Sequence, residues 1–147
     1  MFPSLPIMSS LFPEPELIEI STEIEMQLRE VRELEAIAIQ KTGETPSTEV
    51  VLAKQNQAIA DLTKESPKRF LAKFGRAAKA DLCDESGLLH KQWLKWGDLD
   101  NKDAVERLGA VLVTMGISGG VVRSLVVAVV VIVVHIGIKA FCEDYGK

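Results

Sequence analysis

Residues 117–138 read ISGGVVRSLVVAVVVIVVHIGI, and the reading of this stretch decides the fold. Fourteen of its residues are Leu, Ile or Val. At about 0.3–0.6 kcal/mol each, they favour transfer of a helix into a bilayer by roughly 4–8 kcal/mol. Arg123 opposes insertion by at most about 3 kcal/mol at the bilayer centre, and by less near an interface. As a helix the stretch measures about 33 Å, against a hydrocarbon core of about 30 Å. Valine favours strands in water, but a lone strand leaves its backbone groups unpaired in lipid, so a helix is the better assignment. The expectation is a single transmembrane helix at about 117–138. The alternatives are a helical hairpin turning at Ser118-Gly119-Gly120 and a buried core helix.

Gly116, Gly120, Ser124 and Ala128 recur every fourth position, and in one helix they form a ridge that lets a second helix approach closely. The ridge suggests self-association into a homo-oligomer or packing against a partner's membrane helices. Two ionisable residues lie within the run. Arg123 can snorkel to the near surface. His135 has no acidic partner inside the span and suits a hydrogen bond to a neighbouring helix or an interfacial position.

The 147-residue chain carries a net charge of -4, which excludes a general nucleic-acid binder needing a basic field. Charge is segregated towards the N-terminal side. Between Glu14 and Glu35, eight Glu face Arg29 and Arg32, a balance of -6. Between Lys64 and Lys95, eight Lys or Arg face four acids, a balance of +4. These two regions can attract each other.

Residues 1–13 contain Pro3, Pro6 and Pro13 and no basic segment, so they suit a flexible lead-in rather than a secretory signal. A charged helical domain follows over 14–100, with helices expected at about 15–42, 47–64, 67–82 and 88–96. The first starts with Pro15 and stops at Gly43. Its stripe from Leu17 to Ala38 resembles a short coiled-coil seam, imperfect at Gln27, and is a candidate surface for a protein partner. Ser66-Pro67 caps the third helix. Lys68, Arg69, Lys73, Arg76 and Lys79 surround the apolar side of that helix. With Trp93 and Trp96 on the next, they are candidates for contact with an anionic lipid surface. The competing reading makes the apolar side a bundle core and the basic residues its solvated face. A final helix over 104–142, carrying the span, and a polar tail at 143–147 complete an all-α chain: an N-terminal antiparallel bundle or helical hairpins, then one long transmembrane helix.

Lys102, Arg107 and Arg123 precede the apolar core of the span, which favours a single-pass, tail-anchored arrangement with the N-terminal part cytoplasmic. Cys83 and Cys142 are far apart in sequence and belong to no CxxC or Cys/His cluster, so two free thiols in a reducing compartment are expected, with lipidation of Cys142 as a minor alternative. His90 reads as a surface residue. No metal, cofactor or catalytic motif is recognisable, and an enzyme is not expected. The functional expectation is a membrane-anchored protein that self-associates through its span, in the sharpest form as a holin-like pore or defence effector. The alternative is an interaction module, or a subunit of a larger membrane complex, whose helices recruit a partner.

Overall fold

The computed structural model describes residues 11–96 and 101–146. The expected lead-in lies mostly outside these residues, as does the end of the expected charged domain at 97–100. The described chain is all-helical, with no strand. We number the helices α1 (Glu14–Thr42), α2 (Thr48–Val51), α3 (Ala53–Thr63), α4 (Pro67–Ala78), α5 (Leu88–Leu94), α6 (Lys102–Thr114), α7 (Gly120–Ile136) and α8 (Ile138–Tyr145). A π-helical turn, Lys79–Cys83, extends α4.

Local chemistry explains most of the boundaries. Pro13 precedes α1 with an extended ψ of 155°, and Gly43, at φ 77°, closes it by donating its N–H to the Ile39 carbonyl. Ser66 Oγ accepts from the Arg69 N–H at 3.2 Å at the start of α4, with Pro67 beginning the helix. The expected second helix divides at Leu52 into α2 and α3.

The largest departure from expectation concerns the C-terminal half. One helix over 104–142 is replaced by three, α6, α7 and α8. Gly116 and Gly119 take φ of 94° and 70° in the connection between α6 and α7, and Gly137 takes φ of 97° between α7 and α8. These backbone conformations suit glycine and break a right-handed helix. The two helices about Gly137 meet at 107°. Among the described residues no single helix is long and apolar enough to cross a membrane, so the single straight span is not supported. Among the described residues, the bent pair α7–α8 alone has the length and composition together.

The valine-rich helix is instead the centre of the core. Val122 and every residue from Leu125 to Val133 are buried. A helix apolar on every side must be enclosed by something apolar. Here α1, α3, α6 and α8 pack around α7. They contribute Ile20, Ile24 and Leu28 from α1, Ile59 from α3, Leu108 and Leu112 from α6, and Phe141 from α8. Each of these surrounding helices carries charge on its outer side, and the shell keeps Leu125–Val133 of α7 from water. The apolar side of α4 also belongs to this core through Phe70, Leu71 and Phe74.

The cysteines correct a second expectation. Cys83 and Cys142 form a disulfide, with S–S 2.06 Å and Cα–Cα 5.6 Å across 59 residues of sequence. The bend at Gly137 folds α8 back onto α4 and the π-turn, which brings the sulfurs together. Neither thiol is free, Cys142 offers no thiol for lipidation in this state, and the basis for assigning a reducing compartment is removed.

Candidate functional site

The C-terminal helices present two features: a groove along one side of α7, and the bend that joins α7 to α8. The groove, of about 580 Å³, lies between α1, α3 and α7. Ala58, Ser124 and Ala128 keep it open because their side chains are short. Val127 contributes apolar lining, while Glu19, Glu23, Gln27, Lys54 and Arg123 place polar groups around it.

Arg123 stands beside this groove and bridges to α1. Its Nη1 lies 3.2 Å from Glu16 Oε2 and its Nη2 2.9 Å from Glu19 Oε1. A second cavity of about 420 Å³ adjoins Arg123 and includes Leu11, Phe12, Gly119 and Gly120. At the far end of α7, His135 Nε2 lies 3.8 Å from Glu35 Oε2. Because Glu16 and Glu19 meet the start of α7 and Glu35 meets its end, α1 and α7 run in the same direction. Both ionisable residues of the apolar run therefore find carboxylates on the acidic first helix. The basic α4 does not fill that role: Lys73 pairs with Glu65 at 2.9 Å. Lys102 pairs with Glu14 and Lys54 with Glu30, so the acidic helix meets cations from several later elements.

A polar chain links α1 to α3. Gln55 donates Nε2 to Gln27 Oε1 at 2.8 Å, and Gln27 donates Nε2 to Glu23 Oε2 at 2.7 Å. Gln55 is only 2% exposed, and its Oε1 has no hydrogen-bond partner among the described residues. Gln27, which breaks the expected seam, is half-buried at the groove and accepts from the buried Gln55 amide.

The four small residues do not form one continuous helical ridge. Gly116 belongs to the turn before α7, and Gly120 is the first residue of the helix. Ser124 is exposed, whereas Ala128 is buried at the groove. Lys68, Arg69, Lys73, Arg76 and Lys79 are all exposed, opposite the buried side of α4. Trp93 is not a surface anchor: it is 6% exposed, with Trp96 partly buried beside it at a ring separation of 5.1 Å. His90 is half-buried, its Nδ1 2.8 Å from the Leu82 carbonyl oxygen.

The bend is held from outside. Phe141 is fully buried, with its ring 6.0 Å from that of Phe74 and 5.0 Å from that of Tyr145. At Gly75 the Tyr145 backbone comes so close that a Cβ would collide with its carbonyl. The disulfide adds the covalent tie. Beyond Cys83, the exposed Asp84 carboxylate accepts hydrogen bonds from the Ser86 N–H at 3.0 Å and Oγ at 2.8 Å, which hold it below the usual carboxylate range. Among the described residues, no group of three or more His, Cys, Asp or Glu is placed to hold a metal.

No protein-family model matches this chain, and neither a curated protein nor a solved structure matches it. The functional reading therefore rests on the groove, the enclosed helix and the bend.

Proposed function

We propose that this is a non-enzymatic membrane-active protein that stores an apolar helix inside a charged helical shell and delivers it to a bilayer as the pair α7–α8. The observation that carries the reading is the environment of α7: nine consecutive residues, Leu125–Val133, are buried by the chain's own helices. A helix this apolar has two stable destinations, a protein interior or lipid. The pair α7–α8 is together long and apolar enough for the second. Glycines at positive φ flank α7 at both ends, so it can be repositioned as a unit. The exposed basic side of α4 suits the first contact with anionic headgroups.

In this reading α1–α5 remain on the side from which the chain approaches, which is the cytoplasmic side in the orientation favoured by the basic residues. Gly120, Ser124 and Ala128 then provide a close-packing face for self-association in the bilayer. The test is dye release from phosphatidylglycerol–phosphatidylcholine vesicles treated with the full chain. Release that depends on anionic lipid supports the proposal. Retention of dye with both the disulfide-bonded and the reduced chain, each left in the aqueous fraction after flotation, rejects it.

A second reading has its own observation. The buried stripe of α1 ends at Val31, but the helix continues to Thr42 with Leu34 52% and Ile37 48% exposed. This extension suits an interaction module whose stored helix never leaves the core. Leu34→Lys with Ile37→Lys would then abolish binding to a partner while leaving vesicle behaviour unchanged.

A further inference from the structure

We infer that the Cys83–Cys142 disulfide is a redox lock on the α7–α8 bend, opened by a dithiol reductant. The inference rests on the delivery reading above, because it specifies what releases the stored pair. α8 is eight residues long, and Phe141 is its one fully buried side chain. Ile138 and Tyr145 pack partly buried against the core, the Tyr145 backbone approaches Gly75 closely, and the disulfide is the one covalent tie of α8 to the π-turn. The covalent bond fixes Cys142 beside the π-turn, so α8 cannot swing away from α4 while the bond is intact.

The pivot residue has open space beside it. Gly137 stands at φ 97°, and an added Cβ there would meet no heavy atom within 4 Å. Glycine passes from this conformation to a helical one without the clash that a side chain imposes. A straightened helix over 120–145 would measure about 39 Å, more than the roughly 30 Å needed to cross a hydrocarbon core. Cys83 and Cys142 are both half-buried rather than enclosed, and Gly146 of the C-terminal end packs close to Cys83 Sγ.

Opening follows ordinary thiol–disulfide exchange. One thiolate of the dithiol attacks either sulfur, the S–S bond breaks, and a mixed disulfide forms as the other cysteine leaves as a thiolate. The second thiol of the reductant then closes its own disulfide and releases the remaining cysteine. In total two electrons and two protons pass to Cys83 and Cys142, and the dithiol is oxidised to its disulfide.

The experiment compares the oxidised full chain with the chain reduced by dithiothreitol, using hydrogen exchange followed by mass spectrometry and vesicle flotation. Circular dichroism on the same samples reads the fold. Without vesicles, reduction is expected to speed exchange in residues 138–146 on the order of a hundredfold while α7 stays protected. With phosphatidylglycerol–phosphatidylcholine vesicles, the bound fraction is expected to rise about tenfold, from the coupling of release to binding. Unchanged exchange in residues 138–146 overturns the lock. So does loss of the whole helical signal on reduction, which makes the bond a general staple. Equal binding by both forms overturns the lock but leaves membrane delivery standing. Release of α8 with no binding by either form keeps the lock and rejects delivery. Gly137→Ala separates the cases further: it disfavours the bend, so it should increase binding by the reduced chain and leave the oxidised chain unbound.

Discussion

Arg123 reaches across the α1–α7 interface to Glu19, with Nη2 to Oε1 at 2.9 Å. It is 107 residues distant from its second partner, Glu16, whose Oε2 accepts from Nη1. The bridge fixes the start of the apolar helix against the acidic one. Both partners of the Arg123–Glu19 pair are substantially solvated, which limits its energy. A double-mutant cycle of Arg123→Ala and Glu19→Gln should give a coupling of about 0.2–1 kcal/mol in urea denaturation, weakening as salt is raised. A coupling well above that range would mean that the pair is shielded from water in solution.

The pair of the buried Gln55 and the half-buried Gln27 behaves differently. Gln27→Leu alone leaves the Gln55 amide without its acceptor and should cost about 1–3 kcal/mol of stability. Replacing both by Leu removes the unmet hydrogen-bonding demand and should restore at least the original stability. Urea midpoints of the single and double variants check this. If the double variant falls below Gln27→Leu, shape rather than polarity governs the site.

The enclosed position of α7 gives a sharp contrast between two aliphatic residues. Ile132 is 1% exposed and Leu34 is 52% exposed. In vesicle-free buffer, Ile132→Ala should destabilise the chain by about 2–5 kcal/mol through loss of burial and the cavity left behind. Leu34→Ala should change stability by no more than about 0.5 kcal/mol. Similar small effects at both sites would contradict a core built around α7.

The disulfide closes a long loop, across 59 residues of sequence. Chain-entropy reasoning gives about 4 kcal/mol for a loop of that size, and native-state relaxation commonly lowers the observed value towards 2. The pair of substitutions Cys83→Ser and Cys142→Ser should therefore lower the unfolding free energy by about 2–4 kcal/mol. Gly75→Ala attacks the same junction by pushing on the Tyr145 carbonyl, and it should lower the melting temperature even with the bond intact. Differential scanning calorimetry of both variants checks these effects.

The sequence reveals the helical class and several of its boundaries for identifiable reasons. Pro15, Gly43 and Ser66-Pro67 are local signals that act through backbone geometry and capping, and α1 and α4 begin or end at them. The destination of 117–138 is less legible. A transfer scale measures how strongly valines leave water, yet a bilayer and a protein interior are both apolar. The distinction depends on whether other helices enclose α7, and those apolar stripes are dispersed from Leu17 to Phe141. Gly137 looks tolerable inside a span until its backbone is seen at φ 97°. The disulfide was hidden by the same break, since an unbroken helix would carry Cys142 away from Cys83. In the groove, Arg123, Ser124 and Ala128 stand out in the sequence. Their neighbours Glu19, Glu23 and Lys54 come from distant helices and carry no local signal.

The most direct measurement is photo-crosslinking of the full chain to anionic vesicles containing a lipid with a mid-chain diazirine, in both oxidised and reduced states, with adducts mapped by mass spectrometry. Delivery of the stored helix predicts adducts within Gly120–Ile136 in at least one redox state. Adducts confined to α1–α6, or none in either state, would contradict it and leave α7 as a permanent element of the core.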